Sequence, residues 1–130
     1  MPDVLLIDDH PNTRETLAIG FATDGWHIDT AANAEQALAL VAVRAYDWIV
    51  CDVRMPGKSG VELACDLRRR FPQTGLILMT AYELTDTEAS LVRSLDAALL
   101  IKPVTSEQLM RHCQAVMADS MRQREQAPAR

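Results

Sequence analysis

Apolar residues recur along the chain in two rhythms. Residues 4–7, 48–51, 75–79 and 97–101 are short, almost unbroken apolar runs. Such runs suit strands of a parallel sheet covered on both faces. Residues 26–31, from Trp26 to Ala31, form a more polar run of similar length. Between the runs, apolar residues return every three or four positions, the helical period. Leu17 and Phe21 mark the first helix, entered at Pro11 with Asp9 or His10 at the cap and ended near Asp24 and Gly25. Asn33 caps a second with Ala34, Ala37, Leu38 and Val41 on one face. Val61, Ala64, Leu67 and Phe71 outline a third, and residues 85–95 a fourth. Thr105 or Ser106 caps a fifth with Leu109, Cys113, Val116 and Met117 inward. Five strand–helix units predict an α/β fold, a parallel sheet between helical layers.

All strands of a parallel sheet end at one edge, and ligands bind outside that edge. Asp8 and Asp9 follow the first strand, Asp52 the third, Thr80 the fourth and Lys102 the fifth. Three carboxylates facing one ammonium leave negative charge that a divalent cation neutralises. Few protein ligands and several waters suit Mg²⁺. A cation, a hydroxyl, a lysine and a spare carboxylate fit phosphoryl transfer to an aspartate.

Composition narrows the choice further. The chain has 130 residues, 48% hydrophobic and 24% charged, enough for one domain with a real core. A net charge of −5 argues against nucleic-acid binding by this domain. No apolar run approaches the roughly 20 residues of a membrane span, and the first residues lack the basic start of a secretory signal. Cys51, Cys65 and Cys113 are odd in number and widely spaced, which predicts core thiols in a reducing cytoplasm. His10, His27 and His112 are scattered and form no metal set, with His10 beside the acidic pair at the site rim. Arg68, Arg69 and Arg70 fit the negative end of a helix dipole better than a nucleic acid. Residues 1–118 are expected to form the domain. Residues 119–130 lose the apolar stripe and read as a helix end or linker tail, with room for an effector domain beyond.

The chain resembles the receiver domains of two-component response regulators over residues 3–118. The resemblance rests on Ile7-Asp8-Asp9, on Asp52-Val53-Arg54-Met55-Pro56-Gly57 with Gly60, on Thr80-Ala81 and on Lys102-Pro103. It implies a flavodoxin-like three-layer fold with strand order 2-1-3-4-5. It implies that Asp52 accepts a phosphoryl group from a sensor histidine kinase or phosphotransfer protein. Asp9 and Asp52 would bind Mg²⁺ directly, the Arg54 backbone carbonyl would add a ligand, and Asp8 would act mostly through water. Lys102 would pair with the phosphoryl oxygens and Thr80 would close onto them, helped by the Ala81 amide. The fourth helix, fifth strand and fifth helix, within residues 85–117, would offer a surface for phosphorylation-dependent homodimers.

Two positions depart from the family pattern. Receivers commonly carry Tyr or Phe three residues before the lysine and often an aromatic after the proline; here these are Leu99 and Val104. Signal propagation then falls to Leu99 itself or to Tyr82. Three other classes compete. A Mg²⁺-dependent phosphatase with an aspartyl nucleophile usually carries an acid two residues beyond it, where this chain has Arg54. A nucleotide- or flavin-binding module wants a Gly-rich loop after the first strand, where His10-Pro11-Asn12-Thr13 stands. A docking surface without chemistry would not need the complete set of acids, threonine and lysine.

Overall fold

Strands and helices alternate along the chain: β1 (Asp3–Ile7), α1 (Pro11–Thr23), β2 (His27–Ala31), α2 (Ala34–Val41), β3 (Trp48–Asp52), α3 (Gly60–Arg70), β4 (Gly75–Thr80), α4 (Asp86–Ser94), β5 (Ala98–Ile101) and α5 (Ser106–Gln126). This computed structural model describes residues 2–126 apart from position 82, with side chains as far as residue 121. Tyr82 and the tail residues 127–130, both given roles above, lie outside the described residues. The sheet is parallel throughout, in the expected order β2-β1-β3-β4-β5.

The unbroken apolar strands follow from the layering. Side chains alternate between sheet faces, and each face carries its own core. Leu5, Ile7, Ile49, Cys51, Leu76 and Leu78 pack with Ala37, Val41, Leu63 and Leu67 beneath α2 and α3. Val4, Leu6, Val50, Ile77 and Met79 pack with Leu17, Phe21, Leu109 and Cys113 beneath α1 and α5. Strands buried on both sides have no polar face to show.

Caps set the helix starts. Asn33 accepts the Gln36 N–H, and Ser59 accepts that of Glu62. Thr85 and Glu88 form a reciprocal capping box on α4. Thr105 and Gln108 exchange the same pair of bonds, which makes Thr105 rather than Ser106 the cap of α5. Before α1 the cap is His10, and its ring makes no capping bond.

Two expectations shift. Trp26 lies just ahead of β2, buried edge-on against Phe21 with ring centroids 5.4 Å apart. It is a core residue that does not pair as a strand residue. Val116 is 38% exposed, so the inward stripe of α5 is carried by Leu109, Met110 and Cys113, with Met117 packed against them. The sheet ends at β5, where Leu99 is 37% and Ile101 73% exposed.

Candidate functional site

The parallel register brings the predicted residues to one edge. Ile7 pairs with Cys51, Asp52 with Met79, and Thr80 with Ile101. Asp8, Asp52, Thr80 and Lys102 therefore leave the sheet side by side. Asp8, Asp52 and Thr80 are buried, and Asp9 is partly so. The Lys102 ammonium donates to Asp52 Oδ2 at 2.8 Å and to Asp8 Oδ2 at 3.1 Å. Burial alone would lower the pKa of that ammonium, but hydrogen bonds and charges from Asp52 and Asp8 outweigh it and hold it above the ordinary lysine range.

Backbone groups fix the carboxylates from the other side. The Arg54 N–H donates to Asp52 Oδ1 at 3.0 Å, and the His10 N–H to Asp8 Oδ1 at 2.9 Å. Arg14 on α1 donates to the Asp8 carbonyl at 2.8 Å. The Lys102 N–H bonds the Thr80 carbonyl at 2.8 Å, tying the lysine to the end of β4. The Lys102–Pro103 peptide is cis.

The loop after Asp52 depends on glycine. A Cβ on Gly60 would lie 2.0 Å from the Asp52 carbonyl oxygen, and the Gly60 N–H bonds the Val53 carbonyl at 2.9 Å. Gly57 turns the loop at φ +79°, a region that other residues avoid.

Asp9 carries the clearest sign of a missing partner. Its Oδ1 is buried and accepts no hydrogen bond. An anionic oxygen in that state costs free energy unless a cation or water meets it. Asp8, Asp9, His10 and Asp52 place one donor atom each within 4.8 Å of the others, the one group of that kind among the described residues. The donor set thus fits a small divalent cation. A cleft of about 250 Å³ opens above it, lined by His10, Thr13, Asp52, Arg54, Ala81 and Lys102.

Two features were missed in the sequence. Arg54 does not aim its charge at the cleft. Its guanidinium grips Glu88 of α4 with bonds of 2.8 and 3.0 Å and reaches the Glu83 carbonyl at 3.4 Å. The Thr85-x-x-Glu88 spacing signalled a capping box, but nothing in the spacing pointed Glu88 toward Arg54. His10 is more engaged than a rim residue. Its Nδ1 lies 3.2 Å from Asp8 Oδ1, 3.2 Å from Asp9 Oδ1 and 3.7 Å from Asp52 Oδ2. The cysteines stand apart from this chemistry. Burial first, and then the Asp52 and Asp8 charges, push the Cys51 thiol far above its ordinary range. Burial raises Cys113 to about 12.

The response regulator receiver domain matches residues 4–114. The response regulator protein FleR of Pseudomonas aeruginosa is 34% identical over 107 residues, 82% of this chain and 23% of FleR. The chain therefore spans about a quarter of that relative's length. Among solved structures, Vibrio cholerae chemotaxis protein CheY4 superposes with a TM-score of 0.80 at 28% identity, covering 89% of this chain and 98% of that one. Response regulator TrrA of Thermotoga maritima, in complex with Mg²⁺–BeF, gives 0.77 at 32% identity, covering 88% and 98%. The chain belongs to the receiver-domain family of response regulators, the phosphorylation-controlled signalling modules of two-component systems. Its fold is that of the chemotaxis receivers, with the same flavodoxin-like strand order.

Proposed function

We propose that Asp52 is the phosphoacceptor of this receiver and that Mg²⁺ is its resident cation. The observation that carries this reading is the setting of Asp52. It is buried at the floor of the cleft, and Lys102 and the Arg54 N–H each hold one of its two oxygens. An Asp52 oxygen forms the P–O bond as the P–N bond of a phosphohistidine breaks, and the electron pair leaves with the donor's ring nitrogen. Asp9 and Asp52, the Arg54 backbone carbonyl and, through water, Asp8 would hold Mg²⁺. The cation supplies charge neutralisation at the transferring group.

The chain's own residues do the rest. Before transfer, Lys102 spans Asp8 and Asp52 and limits their repulsion. After transfer, its ammonium follows the negative charge to the phosphoryl oxygens. The Thr80 hydroxyl and the Ala81 N–H are the donors at the end of β4 that answer the new charge. The protein acts as a stoichiometric acceptor that also sheds its own phosphoryl group, not as a turnover enzyme. Its donor is a sensor histidine kinase or phosphotransfer protein, and the receiver acts in the cytoplasm. Residues 1–118 form the receiver, and residues 119–130 are a helix end or linker tail.

Intact-mass measurement with Mg²⁺ and acetyl phosphate tests the assignment. Wild-type protein should gain one phosphoryl mass and Asp52→Ala none. An Asp52→Ala protein that gains it at the native rate would overturn the reading.

A further inference from the structure

The His10 ring is not used by the helix it precedes. Pro11 at the first helical position fixes the turn, and His10 caps α1 without a side-chain bond. The ring swings instead over the acidic edge, 64% exposed on its outer side. One nitrogen, Nδ1, converges on oxygens of three carboxylates at 3.2, 3.2 and 3.7 Å. An imidazole nitrogen carries at most one hydrogen, so Nδ1 cannot satisfy three acceptors. Asp9 Oδ1 is indeed left without a hydrogen bond.

The distances match a different arrangement. Nitrogen and oxygen ligands bond a small transition dication at about 2.0–2.2 Å, which places neighbouring ligands roughly 3.0–3.5 Å apart. The separations of Nδ1 from the three carboxylate oxygens fall in or close to that range. All four donor atoms lie within 4.8 Å of one another, close enough to converge on one cation. Mg²⁺ favours oxygen and water, whereas imidazole favours zinc, cobalt, nickel and copper.

We propose that His10 Nδ1 is a further protein ligand of the acidic site when a transition dication such as Zn²⁺ or Co²⁺ enters in place of the resident Mg²⁺, giving that cation a mixed imidazole–carboxylate set. This rests on the reading of Asp8, Asp9 and Asp52 as a cation site. His10 sets how well transition dications compete with Mg²⁺, while the carboxylates set whether a cation binds. His27 and His112 lie elsewhere: His27 sits beside Asp3 and Arg44, and His112 packs on Trp48.

Titration calorimetry with Zn²⁺ and with Mg²⁺, joined to the visible absorption of bound Co²⁺, tests the ligand. His10→Ala should weaken Zn²⁺ at least roughly tenfold and shift the Co²⁺ bands. Its Mg²⁺ affinity should stay within about twofold of wild type, since Mg²⁺ favours oxygen donors. Because the ring is largely exposed, the variant should melt like wild type. His27→Ala should change neither metal. An unchanged Zn²⁺-to-Mg²⁺ ratio and unchanged Co²⁺ bands in His10→Ala would overturn the proposal. Asp9→Asn separates the two readings. If it weakens Mg²⁺ while His10→Ala leaves the ratio alone, only the imidazole ligand is lost. If Asp9→Asn leaves Mg²⁺ unaffected, the cation site itself falls.

Discussion

Lys102 is held between two carboxylates that it separates from each other, and its removal has opposite effects on two properties. Lys102→Ala deletes the cation that competes with a metal for Asp8 and Asp52, so calorimetry should show tighter Mg²⁺ binding. The same variant should accept a phosphoryl group and then fail to respond. Amide exchange across residues 80–104 should change with phosphodonor in wild type and stay flat in Lys102→Ala. The acids, the threonine and the lysine were all legible because each follows an apolar run, and a parallel sheet ends every such run at one edge. The direction of Arg54 and of the His10 ring was not legible. Both depend on rotamers chosen by loop geometry and by a partner, Glu88 on α4 for the first and the neighbouring Asp9 for the second.

Glu88 joins two elements, capping α4 and gripping the loop that holds Asp52. The Thr85 N–H first, and then Arg54, hold its carboxyl below the usual range. A carboxyl lowered by folding contributes stability above its unfolded pKa, about 4.3, and loses it as pH falls through the lower folded value. The protection of amides in the first turn of α4, relative to their intrinsic exchange rates, should therefore fall as pH drops below about 4.3, and less steeply in Glu88→Gln. The β3–α3 loop is constrained differently. Gly60→Ala must push a methyl group into the Asp52 carbonyl, and such overpacking costs about 1–3 kcal/mol. A lowered urea midpoint together with weakened Mg²⁺ binding should follow; an unchanged midpoint would show that the loop yields freely. The element order was readable because strands covered on both faces lose all polar alternation. The start of β2 was not, since Trp26 is buried by packing on Phe21 and not by strand pairing. Nor was the reach of α5. Beyond residue 118 the apolar stripe ends, yet Met, Arg, Gln and Glu continue a helix on backbone propensity.

For the molecule as a whole, phosphorylation is a question of populations. Moving a two-state equilibrium from 1:99 to 99:1 takes about 5.5 kcal/mol of differential interaction. Leu99 offers neither ring nor hydroxyl to separate two conformers, and it already stands 37% exposed on the edge strand. An incomplete shift is therefore expected, with a weak dimer through residues 85–117 that strengthens with beryllofluoride. Sedimentation with and without beryllofluoride checks this: a tight dimer in both conditions, or a monomer in both, contradicts it. Leu99→Tyr should move the equilibrium further toward the dimer.

The sheet between the two cores has one more consequence. Leu78 and Met79 are successive residues of β4, yet one belongs to the core under α2 and α3 and the other to the core under α1 and α5. Thr80 comes next, the residue proposed to answer the phosphoryl charge. A movement of that strand end has no private route to a single face. It is broadcast, and each helical layer hears it through its own neighbour in the strand. Which layer acts on the message is then decided by what is docked there to listen, so one chemical event can serve listeners on opposite sides of the molecule.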